Sequence, residues 1–182
     1  MIAELETIVV LRAEGSPIRV LREGDAPALA SLMTPQVAAR LASWQAPCSS
    51  RDVAARIAYM QDAAAHGRGY GLAVVEPHDM AIPCGWVSAE IPRGESNYAM
   101  LTYWIGEQYQ GLGLMRRAAP RAMAEFFKVL RVPELRAAVQ PDNVRSISLL
   151  ESLGFSRVSA GQIWCSARQR HESCFYYGLR QA

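Results

Sequence analysis

The sequence has no long apolar run. Nowhere in its 182 residues does an uninterrupted apolar stretch approach the about 18 that a membrane-crossing helix needs, so no membrane partner is expected. Cysteine is sparse and unpaired in pattern: Cys48, Cys84, Cys165 and Cys174 are scattered, with no CxxC. That scatter suits reduced thiols rather than a disulfide framework or a zinc site, and no metal is expected. The three histidines, His66, His78 and His171, fall in stretches read as loops or helix ends. Surface positions are expected for them, and only His171 comes late enough to border a site. Charge of neither sign accumulates. A formal net charge of +2 without a long basic run argues against nucleic acid as a partner. The start, "MIAELETIVVLRAEG", carries acids where a secretory signal would be basic, so a cytoplasmic location is expected.

What is present has the makeup of a globular domain. Hydrophobic residues reach 51% and charged residues 20% of the 182, enough to close around one core. One domain over residues 1–182 is expected. The β-branched runs "ETIVVL" and "PIRVL" read as a hairpin. "EGDAPALASLM" opens with an acid and then spaces its apolar residues helically. In "SSRDVAARIAYMQDAAAHG", Ser50 is placed to cap, Val53, Ile57 and Met60 share a face, and Gly67 ends the helix. "GYGLAVVE", "IPCGWVSAEI" and "NYAMLTYWIG" follow as strands, with turns around residues 77–79 and 92–95. Next come a helix from about Gly113 to Leu130, a strand in "LRAAVQ", a helix in "DNVRSISLLESLG" closed by Gly154, and strands in "FSRVSA" and "SCFYYGLR". Residues 160–172 read as loop. Pro120 removes a hydrogen bond inside its helix, so an irregularity is expected around Arg116–Pro120. The order implies an α/β mixed sheet with helices on its faces.

The stretch "EQYQGLGLMRRAAPRAM" joins a strand to a helix through Gly111 and Gly113. Such a turn leaves helix N–H groups unpaired at the positive end of the dipole, where phosphate binds. Glycine lets the backbone approach a pyrophosphate. A Walker loop would need Gly-Lys-Ser/Thr, but Leu114 and Met115 follow Gly113. A Rossmann fingerprint would need a third glycine, but position 116 is Arg. What remains is Gln108-x-x-Gly111-x-Gly113, which by itself is also the pattern of a plain turn. Some 30 residues downstream, "VQPDNVRSISLLESLGF" ends a strand, caps a helix with Asp142 or Asn143, and sets Ser146 and Leu150 one turn apart.

Together these motifs resemble the GNAT superfamily of acyl-CoA-dependent N-acetyltransferases, and within it the RimJ/RimL-like branch, which acetylates protein N-terminal amines and sometimes small amines. "YWIGEQYQGLGLM" is similar to that branch's strand and pyrophosphate loop, and "DNVRSISLLESLGF" to its late helix. "VLREGDAPALASLM" and "FYYGLR" resemble its first strand and helix and its closing strand. The resemblance implies a mixed sheet of about six or seven strands, splayed into a V between the fourth and fifth, with acetyl-CoA in the V. Carried to this chain, it places the amides of Gln110, Gly111, Leu112, Gly113 and Leu114 on the pyrophosphate, with Gln108 shaping the loop. Backbone groups of Tyr103, Trp104 and Ile105 would pair with the pantetheine arm. Asn143 and Ser146 would sit beside the sulfur. Arg116 or Arg117 would reach the nucleotide's phosphates or simply face solvent.

Acetyl transfer needs an unprotonated amine, a donor for the developing oxyanion and a proton or hydrogen bond for the leaving sulfur. The resemblance makes a backbone N–H near Tyr103 the candidate oxyanion donor and Ser146 the candidate donor to sulfur. Two positions depart from the family pattern. Leu150 stands where many members carry an acidic tyrosine, and Met100 where the branch often has a glutamate. Glu90 is expected at the surface, and Tyr98 and Tyr103 are possible lining residues. No cysteine is placed for a covalent intermediate, so direct transfer in a ternary complex is expected. The absence of an obvious base favours a low-pKa acceptor such as a protein N-terminus over a lysine side chain. A small amine (an aminoglycoside or polyamine) and a non-catalytic acyl-CoA-binding module are the alternatives. The aromatic C-terminal strand, as an edge, would offer a homodimer contact.

Overall fold

The computed structural model describes residues 17–94 and 96–181. The first run of the expected hairpin, "ETIVVL", lies outside them.

The core is a seven-stranded mixed sheet in the order β1-β2-β3-β4-β5-β7-β6. Strands β1 (Ile18–Val20), β2 (Gly69–Val75), β3 (Pro83–Glu90) and β4 (Tyr98–Ile105) pair antiparallel with their neighbours. Strand β5 (Glu134–Val139) joins β4 in parallel, and β7 (Arg170–Arg180) then lies between β5 and the edge strand β6 (Ser156–Cys165). The helices are α1 (Ala26–Leu32), α2 (Pro35–Ala38), α3 (Ser50–Ala65), α4 (Leu114–Leu130) and α5 (Val144–Ser152).

Strand alternation divides two cores between the two faces. Trp104 of β4 faces α1–α3, where its ring meets Trp44 edge-on at 5.2 Å and Trp86 joins the cluster. Ala99 and Leu101 face the other way, onto the buried stripe of α4 with Leu114, Ala118, Ala122 and Phe126, and onto Leu150 of α5. In α3, Val53, Ile57 and Met60 are buried as their spacing predicts. Its cap is Ser49 rather than Ser50. Ser49 accepts from the Asp52 N–H while Asp52 accepts from the Ser49 N–H, a reciprocal arrangement only that register allows.

Three expectations change. Residues 160–172 are mostly strand: β6 runs to Cys165 and β7 begins at Arg170. Nearly every β6 side chain is exposed, so no apolar alternation marks the strand, and backbone pairing with β7 holds it. The C-terminal strand is not an edge, because β5 and β6 flank it, and the premise of the dimer contact falls away. At Pro120, α4 continues unbroken. Proline sits on the exposed side there, where the freed Arg116 carbonyl can turn to water.

The sheet splits at its centre. β4 and β5 pair only through Tyr98–Met100 with Glu134–Arg136, yet β3 accompanies β4 as far as Ile105. Beyond Met100 the two parallel strands part into the expected V.

Candidate active site

The V opens into a cleft of about 910 Å³, within the range of small-molecule and cofactor sites. One end of it is the loop between β4 and α4. Gly111 and Gly113 take φ of +79° and +69°, left-handed values that suit glycine. Gly113 caps α4 without a side-chain partner, so the helix's first N–H groups are not taken by a cap. The Gln110 amide donates to the Ile105 carbonyl at 3.1 Å and ties the loop back to β4. Arg117 donates to the Leu112 carbonyl at 3.1 Å and braces the loop from behind, whereas Arg116 faces the cleft.

Across the cleft, Asn143 proves to be the α5 cap, its Oδ1 accepting from the Ser146 N–H at 3.3 Å. Asp142 instead pairs with Arg40 at 2.8 Å, which lowers its carboxyl pKa. Ser146 Oγ lies 2.5 Å from the phenol oxygen of Tyr103, a contact that reaches from α5 to β4. Burial pushes that phenol up to about 12, against the pull of the Ser146 bond. Leu150 is fully buried beneath them.

Of the residues singled out in the sequence, Tyr103, Trp104, Ile105, Gln110, Gly111, Gly113, Leu114, Arg116, Asn143 and Ser146 all line this one cleft. Gln108 and Leu112 lie outside its lining, Gln108 in the turn of Glu107–Tyr109 and Leu112 with an exposed side chain. Tyr98 sits at the closed end of the V under the Arg136 guanidinium, 4.1 Å from its ring centre. His66, His78 and His171 are exposed, and His171 packs against Trp164 outside the cleft. Glu90 is half-buried rather than superficial. It stands directly across from Met100 on β3, and burial raises its carboxyl pKa against the pull of Tyr59 and Arg56.

One wall went unseen in the sequence. The segment from Gln36 to Ser43, with Ile163 of β6, covers the cleft on the α1–α3 face. A signal for its short helix was present: Thr34 caps and Pro35 takes the first helical position.

The family model described as "Acetyltransferase (GNAT) domain" matches residues 17–156. The chain belongs to the GNAT acetyltransferase family. Solved structures share its fold. The ribosomal-protein-S5-alanine acetyltransferase from Vibrio fischeri superposes with a TM-score of 0.76 at 21% identity, over 90% of this chain and 91% of that one. RimJ from Mycobacterium smegmatis, in complex with CoA-disulfide, gives 0.75 at 15% identity, over 90% of this chain and 80% of that one. The protein yncA from Salmonella typhimurium, with its cofactor acetyl-CoA, gives 0.70 at 18% identity, over 90% of this chain and 92% of that one. No curated protein sequence is significantly similar to the chain.

The chain is therefore an acyl-CoA-dependent N-acetyltransferase with a RimJ/RimL-like fold, and acetyl-CoA is its cofactor. The cleft of this GNAT enzyme fits the group. A Cβ added at Gly111 would meet nothing within 4 Å, so the loop faces open space at the place where a phosphate would approach. The split beside β4 leaves room for an extended arm. Among the described residues no helix is long and apolar enough to cross a membrane.

Proposed function

We propose that the enzyme acetylates protein N-terminal α-amines by direct transfer from acetyl-CoA. The amides of residues 110–114 hold the pyrophosphate, Arg116 reaches the phosphates, and the backbone of residues 103–105 aligns the pantetheine arm. Asn143 fixes the first turn of α5, and Ser146 stands beside the sulfur. When bound, the cofactor supplies an acetyl group activated as a thioester.

The observation that supports the α-amine is the state of the cleft's carboxylates. Among the described residues two line it, Glu107 and Asp142. Glu107 accepts from Thr34, and Asp142 is held by Arg40. Both are already engaged, and Arg40, Arg116 and Arg145 line the same space. These three arginines outweigh the two carboxylates, which disfavours a polyamine or aminoglycoside, and among the described lining residues there is no histidine to serve a lysine as base. An α-amine has a pKa of about 7.7–8.0 against about 10.4 for lysine. Near pH 7 about a tenth of it is already free base, against about one part in a few thousand for lysine. The name of the Vibrio fischeri relative points to the same class of acceptor.

The test compares thiol release from acetyl-CoA with three acceptors: peptides with a free N-terminus and no lysine, N-blocked lysine peptides, and spermine. Turnover on free N-termini should exceed the others by at least about tenfold near neutral pH, in keeping with the free-base fractions. Faster turnover on the lysine peptides or on spermine would sink the proposal.

A further inference from the structure

The phenol absent from α5 is present on the opposite wall. Leu150 is fully buried and carries no proton to give. Tyr103, 43 residues before Ser146 in sequence, reaches over from β4 until its oxygen lies 2.5 Å from Ser146 Oγ. Both residues line the cleft where β4 and β5 have parted. Either oxygen of the contact can donate; in the arrangement the proposal uses, the phenol, the stronger acid of the two, donates and Ser146 Oγ accepts. That fixes the Ser146 rotor and leaves its single O–H free to point elsewhere. Accepting one hydrogen bond also strengthens the one it donates. The Asn143 cap holds the Ser146 backbone from the other side at 3.3 Å. The phenol itself, pushed up to about 12 by burial, keeps its proton at neutral pH.

We propose that Tyr103 is a positioning residue that aims the Ser146 hydroxyl at the sulfur of bound CoA, from β4 instead of α5. The inference rests on the reading that Ser146 stands beside that sulfur. In the transfer, the amine nitrogen bonds to the acetyl carbon and the carbon–sulfur bond breaks. The electron pair of that bond goes to sulfur, where Ser146 donates a hydrogen bond. The proton lost by the amine goes to solvent, and Tyr103 stays neutral throughout.

The test reads binding rather than turnover. Calorimetry gives the affinity for CoA and for desulfo-CoA, which lacks the sulfur, at neutral pH and again at a pH alkaline enough to ionise much of the CoA thiol, a weaker acid than that of cysteine. The wild type, Tyr103→Phe, Ser146→Ala, Ser146→Thr and the Phe/Ala double variant are compared, with thermal unfolding as a check on folding. The wild type should prefer CoA by about tenfold, the scale of one charge-assisted hydrogen bond. Tyr103→Phe and Ser146→Ala should each remove most of that preference, the double variant no more than either, and Ser146→Thr should retain it. If Tyr103→Phe keeps the preference while Ser146→Ala loses it, Tyr103 is only packing and the inference is overturned. If Ser146→Ala also keeps it, the reading of Ser146 falls and takes the inference with it.

Discussion

Gly111 and Gly113 hold backbone angles that cost any other residue about 1 kcal/mol or more. At Gly111 strain and filling can be separated, because an added Cβ meets nothing within 4 Å. Gly111→Ala should lower stability by about 1 kcal/mol and change CoA affinity only a few-fold. Gly111→Asp should lose similar stability and also lose CoA binding, since its carboxylate would stand toward the phosphates. Calorimetry beside thermal unfolding checks both. An equal loss of binding in the two variants would show that loop geometry, not the space above it, is what matters. Arg117 illustrates the limit of a residue-level reading: its charge is next to that of Arg116, but its hydrogen bond goes to the loop's own carbonyl.

At the scale of elements, the β6–β7 hairpin turn clasps the segment that walls the cleft. Arg168 donates to the Ala38 carbonyl at 3.1 Å, and Ser166 to that of Ala42 at 3.2 Å. Gln140 reaches the Ala39 carbonyl at 3.2 Å. Glu172 organises these donors, taking both arms of Arg168 at 2.7 Å and Gln140 at 3.1 Å. The Arg168 hydrogen bonds lead in holding its carboxyl down to about 2, against its burial. Its folded pKa lies below the unfolded value of about 4.3, so the unfolded chain binds more protons between them. The stability Glu172 adds is therefore full above about pH 5 and fades as pH falls toward 2. Glu172→Gln should unfold at lower temperature than the wild type at pH 7, and the gap should narrow below about pH 4. Loosening this wall should also raise the KM for a peptide acceptor several-fold while leaving CoA affinity unchanged. A variant with unchanged acceptor KM would limit the clasp to stability.

At the scale of the molecule, β1–β4 and β5–β7 share only three paired positions across the split. On the proposed binding mode, acetyl-CoA in that split would bridge the two halves. By mass action, acetyl-CoA at 100 times its Kd should add about 2.7 kcal/mol, or roughly 5–10 °C in Tm for a chain of this size. Hydrogen exchange should slow on β4 and β5 together. Protection confined to the α4 loop would mean that the cofactor does not span the gap. Gly111→Asp should show neither the shift nor the protection.

The sequence by itself determined the glycine turn, a late helix capped by Asp142 or Asn143, and the helical face of α3. Each depends on contacts within a few residues and on backbone angles that particular residue types favour or forbid. It also carried the family, because the loop and the late helix stand in a telling order. It did not show the strand in residues 160–165, whose exposed side chains leave no pattern, nor the wall from Gln36 to Ser43, which takes its place only when the hairpin turn grips it. Tertiary structure alone decided that Tyr103 meets Ser146, that Glu107 and Asp142 are already paired, and that β7 is not an edge. Those outcomes depend on which strands lie side by side and where two of them part, and non-local pairing leaves little trace in the local order of residues.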